Sequence, residues 1–232
     1  GGMLLSKGPA EASIVPAVIT PQPTPHQVFL PLVAGPPGGP TYFYDLTYPA
    51  NWFLTRRGPD LASASANITS TAVYTQHAAT GAWNSPPADF YPHYELTRGF
   101  LHFEPTAVPT HAIILSATLE LPALNLGNWP TTLSVEQGGW SGTPDAGDWD
   151  NYTRQLGNVA LDATSWYLKV PLPGLVNQPL PTVFKLVLRT DETVELSAGL
   201  QGGGAFDLND EYASDGQVVM LRLQVELPPE HR

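Results

Sequence analysis

Aromatic and acidic side chains are concentrated between residues 138 and 152, where they could bind a sugar. Trp140, Trp149 and Tyr152 are separated there by Gly, Ser, Thr and Asp residues. Aromatic rings stack on the CH face of a sugar while carboxylates accept its hydroxyl protons, and binding residues concentrate on loops. The segment therefore predicts a glycan-binding site at Trp140, Trp149 and Tyr152. The alternative is structural, with Trp140 and Trp149 closing the open end of a hydrophobic core.

Two acidic loops could hold a cation. The first contains Asp145, Asp148 and Asp150, and the second contains Asp207, Asp210 and Asp215. Ca²⁺ takes roughly six to eight oxygen ligands from carboxylates and carbonyl groups, which such loops can supply. Neither loop has the EF-hand spacing, and Asp is also an ordinary turn-forming residue. Calcium is thus the cofactor that the sequence suggests, and solvated turns are the alternative.

The sequence contains no motif that predicts catalysis. It has no cysteine, and its histidines form neither an H-x-x-x-H pair nor an H-E-x-x-H motif, so zinc chemistry is unsupported. The G-x-S-x-G pattern of a serine nucleophile does not occur. Two carboxylates at any sequence spacing can hydrolyse a glycosidic bond, but nothing else supports that activity here. We predict that the protein is not an enzyme.

Charge and hydropathy restrict the partners. The net charge is −11 and the chain has only three lysines, whereas nucleic-acid binding depends on clustered Lys and Arg. No apolar run approaches the ~20 residues that span a bilayer, so we expect a soluble chain with no membrane span. The lack of cysteine fits an exported microbial protein, and we predict an extracellular or cell-surface location.

The clearest strand pattern in the chain lies between Arg98 and Leu121. Leu101 and Phe103 lie two residues apart, as do Leu115, Ala117 and Leu119, a spacing that sends alternate side chains to one face of a strand. Pro105 and Pro109 interrupt the segment between the two apolar runs. The segment therefore predicts two β-strands joined by a loop.

Composition extends this prediction to the whole chain. With 21 Gly, 25 Pro and only 13% charged residues, many short strands are favoured over long amphipathic helices. We predict an all-β fold, an antiparallel jelly-roll-like β-sandwich over residues 41–232, with about eight or more strands and less than about 10% helix. Further strands are expected at 42–48, 51–54, 70–76, 132–136, 156–161, 165–171, 182–190, 193–200 and 218–227, with loops at 81–94 and 202–215. The expected core includes Leu101, Phe103, Leu115, Ala117, Leu119, Val187 and Leu221.

The segment Arg98 to Leu121 also carries a family pattern: an Arg, a short apolar strand, an acidic residue after Phe, a Pro-bearing turn and I-x-S-A-T-L-x-L. The matching residues are Arg98, Leu101, Phe103, Glu104, Pro109, Ile114, Ser116, Ala117, Thr118, Leu119 and Leu121. The pattern resembles the opening half of the DNRLRE-type, disaggregatase-related β-sandwich domains of secreted microbial proteins, with Glu104 in place of their Asp. Residues 62–74 and 218–227 resemble the first and closing strands of that family. The resemblance implies a jelly-roll-like, non-catalytic extracellular domain of the kind that accompanies carbohydrate-active or adhesive proteins.

Residues 1–40 form a separate Pro-rich arm. They contain nine prolines and two strand-like apolar pieces, IVPAVI at 14–19 and VFLPLV at 28–33. Both faces of the second piece are apolar, and Pro31 confines it to a sheet edge or a groove. The arm residues expected to make contacts are Ile14, Val18, Val28, Phe29, Leu30, Leu32 and Val33. They pack either on their own sandwich or, by strand addition, on a neighbouring subunit.

Two classes of function follow from these observations. In the first, the protein is an extracellular structural or adhesive subunit whose arm adds a strand to a neighbour, giving a filament if the contact does not close. In the second, it is a carbohydrate-binding module that presents loop aromatics and carboxylates to a polysaccharide. The arm favours the first class, because a simple binding module does not need two apolar strand pieces among nine prolines.

Overall fold

The structure is a computed structural model, and it describes residues 39–47, 49–66, 70–73, 77–85, 93–128, 130–161, 167–190, 192–193, 195–207 and 218–228. These residues confirm the predicted fold class, an all-β antiparallel sandwich with 58% strand and 8% helix. The arm up to residue 38 lies outside them.

Twelve strands and one short α-helix make up the regular structure of the described residues. The strands are β1 (Thr41–Thr47), β2 (Ala50–Gly58), β3 (Ser70–Val73), β4 (His77–Asn84), β5 (Tyr94–Phe103), β6 (Ile113–Leu126), β7 (Thr131–Gly138), β8 (Tyr152–Leu161), β9 (Tyr167–Pro171), β10 (Phe184–Arg189), β11 (Gln201–Asp207) and β12 (Met220–Glu226), and the helix is α1 (Leu61–Ala66). Single 3-10 turns lie at Ala146–Asp148 and Pro173–Leu175.

The strands form two antiparallel sheets. In the small sheet β12 pairs with β1 and β6, and β6 also pairs with β9. In the large sheet the order is β8-β7-β10-β5-β4-β11, and β2 pairs with both β5 and β3. Strand β6 joins the two sheets, because its last residues, 123–126, pair with β11 of the large sheet.

A hydrophobic core fills the space between the sheets. The closing strand β12 shows the pattern most clearly, because Leu221, Leu223 and Val225 are buried while the residues between them are partly exposed. Leu101 and Phe103 of β5 and Leu119 of β6 enter the same core, as their alternation predicts.

Leu115 is a correction to the predicted core. The pairing of β6 with β12 shifts between Gln224 and Val225, which face Ser116 and Ile114, so Leu115 is the extra residue of a β-bulge. A bulge reverses the alternation of side chains. Ile114 and Ala117 are therefore buried on both sides of it, and Leu115 is only half-buried.

A second group of buried apolar residues covers the opposite face of the large sheet. Phe100 is buried beside Leu101, and Val187 beside Leu186, so both faces of β5 and β10 are covered. We call this group the outer cluster, which contains Leu54, Ala64, Ala82, Tyr94, Leu96, Phe100, Trp140, Trp149, Val187 and Leu196. Val187 was predicted to be buried, and it is, but in the outer cluster.

Loops were expected at 81–94 and 202–215, but β4 and β11 extend into these ranges. A strand was expected at 193–200, but the described residues of that range do not form one. The two strands pair through glycines. A Cβ on Gly81 would lie 2.3 Å from the carbonyl oxygen of Gly202, and Gly203 has a φ of +94°. Glycine is depleted in strands, which is why the sequence favoured a loop, but here it permits the close approach of the two backbones.

No helix among the described residues is long and apolar enough to span a membrane.

Candidate functional site

An open groove lies where the chain crosses from the small sheet to the large sheet. It has a volume of about 430 Å³, and its lining includes Tyr44, Leu46, Trp52, His102, Phe103 and Glu104. Three elements position these side chains: the end of β1, the beginning of β2 and the end of β5. We call this feature the edge groove.

The edge groove runs along the backbone edge of β1. Four consecutive residues of this strand, 44–47, line it, and consecutive side chains in a strand point to opposite faces. The groove therefore contacts residues from both faces of β1. Strand β1 pairs with β12 on one side, and no strand of the described residues pairs with its other side. Within the part of the chain that the structure describes, the groove therefore borders the edge strand of the small sheet.

The floor of the edge groove is part of the main core. Tyr44, Leu46 and Phe103 belong to that core, and each is no more than 8% exposed. The rim is more polar, because the His102 imidazole lies 3.6 Å from a carboxylate oxygen of Glu104 and its ring centroid is 6.5 Å from that of Trp52. An apolar floor with a polar rim beside an open strand edge fits an extended apolar peptide.

The edge groove could not be predicted from the sequence. Its residues come from three separate segments, and only their pairing in the fold brings Tyr44, Trp52 and His102 together. The one local signal was the aromatic strand at 42–48, whose apolar faces need cover. The groove depends on which strand is at the edge of the small sheet, and the sequence pattern does not specify that order.

The predicted glycan-binding tryptophans are interior residues. Trp140 is 0% exposed and Trp149 is 1% exposed. Trp140 packs edge-on against Phe100 with 5.2 Å between ring centroids, while the guanidinium carbon atoms of Arg56 and Arg98 lie 4.3 and 4.4 Å from the Trp149 ring centroid. A stacking platform needs an exposed ring face, which neither indole has in this structure. The structural alternative agrees with this burial, although the tryptophans cover the outer cluster and not the open end of the main core.

Tyr152, the third predicted aromatic, is half-buried beside the outer cluster. The guanidinium of Arg189 lies 4.5 Å from its ring centroid and that of Arg98 lies 5.5 Å away. Cations at such distances are attracted to the electron-rich ring face. Tyr152 therefore helps to hold two arginines on the outer face of the large sheet.

The acids of the first loop are engaged by the loop itself and by arginines. Asp145 caps the 3-10 turn by accepting a hydrogen bond from the Gly147 backbone N–H at 2.7 Å, and Asp148 accepts one from the Asp145 backbone N–H at 3.1 Å. Asp150 accepts a hydrogen bond from Arg98 at 2.8 Å. These three carboxylates thus act as turn and ion-pair residues in this structure, which matches the alternative to a calcium site.

The second acidic loop is mostly outside the described residues. The backbone of Asp207 ends β11 opposite His77, and its side chain is not described. Asp210 and Asp215 lie outside the described residues, as do the predicted arm contacts Ile14, Val18, Val28, Phe29, Leu30, Leu32 and Val33. Within the described part of the chain, no three His, Asp or Glu side chains are grouped so as to hold a metal ion. The prediction of calcium at either loop remains a prediction.

Arg98, which began the family pattern, is the centre of a buried ionic network. Its Nε and Nη2 each donate to one carboxylate oxygen of Glu192 at 2.7 Å, its Nη1 donates to Asp150, and its side chain is only 4% exposed. Burial alone would lower the pKa of this guanidinium, but the hydrogen bonds and negative charges of Glu192 and Asp150 outweigh burial and raise it. Arg98 therefore remains charged and ties the segment that contains Glu192 to the large sheet.

No protein-family model matches the chain, and no curated protein matches it. The resemblance to the DNRLRE-type domains therefore remains a prediction from the sequence pattern.

Proposed function

We propose that the protein is a non-catalytic extracellular subunit that assembles by inserting its N-terminal arm into the edge groove of a neighbouring copy. The observation that carries the proposal is that β1, an edge strand among the described residues, borders a groove whose floor is the main core. Edge strands are templates for pairing with another chain, and added strands satisfy them.

The apolar piece at 28–33 suits this groove. It has six residues, one fewer than β1, and consecutive side chains such as Phe29 and Leu30 make both of its faces apolar. Burying each such side chain is worth about 1.5 to 3 kcal/mol, which gives the piece a strong tendency to leave water. Pro31 removes one N–H donor, a loss that is tolerated when that side of the added strand faces solvent.

The sequence between this piece and β1 favours a neighbour over the same chain. Residues 34–40 read AGPPGGP. Tight hairpins use loops of roughly two to five residues, and residues before proline prefer extended conformations. A Pro-rich link of this length reaches up to about 20 Å at ~3.1 Å per residue, which is enough to bring the piece to a neighbouring copy.

This arrangement predicts a chain of subunits. The arm and the groove are different surfaces of one molecule, so the contact is heterologous and generates rings or open filaments. Each subunit offers one arm and one groove, and a subunit without its arm can still accept a neighbour's arm but cannot donate one. Polymers of this kind suit the structural or adhesive role outside the cell that we propose.

Light scattering during gel filtration tests the proposal with the full-length protein and a variant lacking residues 1–35. The full-length protein should form species larger than a monomer, with a mass that rises with concentration, while the truncated variant should be a folded monomer. A synthetic peptide of residues 26–35 should then bind the truncated variant. A monomeric full-length protein at high concentration would contradict the proposal.

A pair of matched substitutions locates the contact. Ala107→Trp fills the exposed rim of the edge groove, whereas Ala62→Trp places the same bulk on an exposed position of α1. Ala107→Trp should reduce assembly and peptide binding, and Ala62→Trp should leave both unchanged. Equal effects of the two variants would show that the groove is not the contact.

A further inference from the structure

A second cavity lies on the outer face of the large sheet, away from the edge groove. Its volume is about 460 Å³, and its lining includes Ser65, Thr132, Ser134, Arg189, Thr190 and Glu192. We call it the polar pocket. Four of these six residues carry hydroxyl groups, and the other two carry opposite charges. None of them lines the edge groove.

The charged side chains of the polar pocket are held in place from behind. Both carboxylate oxygens of Glu192 accept hydrogen bonds from Arg98, which is 4% exposed. The guanidinium of Arg189 lies 3.6 Å from a carboxylate oxygen of Glu136 and stacks at 4.5 Å from the Tyr152 ring centroid. Side chains fixed in this way lose little freedom when a ligand binds, which favours binding.

The hydroxyl groups retain hydrogen-bonding capacity. Ser134 accepts a hydrogen bond from the Gln155 side chain at 3.0 Å, which leaves its hydroxyl proton for an acceptor. Ser65 donates to the backbone oxygen of Leu61 at 2.8 Å, which leaves its oxygen lone pairs for a donor. A hydroxyl group is both a donor and an acceptor, so the wall of the pocket offers both kinds of partner.

Two polar atoms of the lining residues are buried. Thr190 is 5% exposed, and its Oγ1 has no hydrogen-bond partner among the described residues; the same is true of Arg189 Nε. Because neither atom is accessible, a ligand in the pocket would contact the exposed side chains of Ser65 and Thr132 instead.

We propose that the polar pocket binds one saccharide unit, whose hydroxyl groups form hydrogen bonds with the side chains of the wall. A sugar presents several neighbouring groups that each donate and accept, which complements the hydroxyl groups of the wall. An inorganic anion fits less well, because the charge of Arg189 is balanced by Glu192 and Glu136. The volume lies within the range of roughly 300 to 1,000 Å³ that is typical of small-molecule sites. This site is distinct from the predicted platform of Trp140 and Trp149, and it does not depend on the assembly proposal.

Amide NMR spectra of the ¹⁵N-labelled full-length protein test this inference. The probes are glucose, galactose, mannose, N-acetylglucosamine and myo-inositol, with inorganic phosphate as the competing class. At least one of the sugars should shift the amide signals of Ser134, Thr190 and Glu192 in a saturable manner. No shift at these positions with any sugar, or a saturable shift with phosphate alone, would overturn the proposal.

Two variants connect the binding to the wall. Thr132→Val keeps the side-chain shape and removes an exposed hydroxyl of the wall, so it should leave stability unchanged and weaken sugar binding by roughly 3- to 10-fold. Thr153→Val removes an exposed hydroxyl outside the pocket and should change neither property. Sugar binding by Thr132→Val that equals that of the wild type would contradict the proposed contact, and a loss of stability would indicate a structural role instead.

Discussion

Arg98 and Glu192 are joined by two parallel hydrogen bonds, each of 2.7 Å, although they are 94 residues apart in the sequence. The pair is mostly buried, with the Arg98 side chain 4% exposed and that of Glu192 12% exposed. Two-point pairing of this kind fixes the orientation of both groups. It attaches the wall of the polar pocket to β5, the central strand of the large sheet.

Breaking this pair should strongly destabilise the protein. Arg98→Met removes the guanidinium but keeps much of the apolar side chain, and it leaves Glu192 and Asp150 without their main partner. Removing one partner of a buried pair costs about 3 to 5 kcal/mol of unfolding free energy. Urea denaturation followed by circular dichroism measures this loss.

The control for Arg98→Met is Arg57→Met. Arg57 also pairs with a carboxylate, that of Glu95, but its side chain is 52% exposed. Exposed pairs are worth about 0 to 1 kcal/mol, so this variant should be close to wild type in stability. Equal losses for the two variants would show that the Arg98 network does not contribute more than a surface ion pair.

The bulge in β6 predicts different costs for two leucines of one strand. Leu119→Ala should cost about 2 to 5 kcal/mol because Leu119 is fully buried in the main core. Leu115→Ala should cost about 1 kcal/mol, since the bulge turns Leu115 towards the half-exposed face. Thermal and urea unfolding of both variants check the order. A larger loss for Leu115→Ala would place the bulge elsewhere.

These two leucines also show how far the sequence determines the fold. The alternation of Leu101, Phe103 and Leu119 predicted two strands and their buried face because it is a local property of each strand. The position of Leu115 could not be predicted, since the bulge arises from the pairing of β6 with Gln224 and Val225, which are more than 100 residues away. Local periodicity identifies strands but does not report a shift in register.

The sites depend even more on contacts between distant segments. The spacing of Trp140 and Trp149 suggested an exposed platform, but the loop that carries them folds onto β5 and buries both rings. The sequence showed aromatic residues beside acids, and only the folded loop shows that Arg56 and Arg98 occupy the ring faces. The polar pocket likewise combines α1, β7, the end of β10 and the residues after it, none of which carries a recognisable motif.

The raised pKa of Tyr167 predicts that the protein loses stability at alkaline pH. Burial and the nearby carboxylate of Glu120, to which its phenol donates, raise its pKa above the ordinary value. The unfolded chain releases the phenol proton near the usual pKa of about 10, whereas the folded protein retains it. The phenol of Tyr167 therefore contributes its full share of the unfolding free energy below about pH 10. This contribution is lost as the pH rises towards the pKa of the folded state.

Tyr167→Phe tests this linkage. The variant should lose about 1 to 2 kcal/mol near neutral pH, because Glu120 loses a hydrogen-bond donor. Its unfolding free energy should fall less steeply with pH above about 10 than that of the wild type. Urea titrations between pH 8 and 11.5 provide the two curves. Parallel curves over the whole range would show that Tyr167 does not have a raised pKa.

The most direct test of assembly is site-specific cross-linking, for which the absence of native cysteine is an advantage. Leu30→Cys in the arm and Thr47→Cys beside the edge groove are prepared as separate proteins, mixed and joined with a short bis-maleimide. Thr153→Cys, exposed on β8, replaces Thr47→Cys in the control mixture. The proposal predicts a covalent dimer containing one copy of each variant, and little or none in the control. If the mixture gives no such dimer, while a single chain carrying both cysteines is cross-linked internally, the arm fills the groove of its own subunit and the account of assembly is wrong.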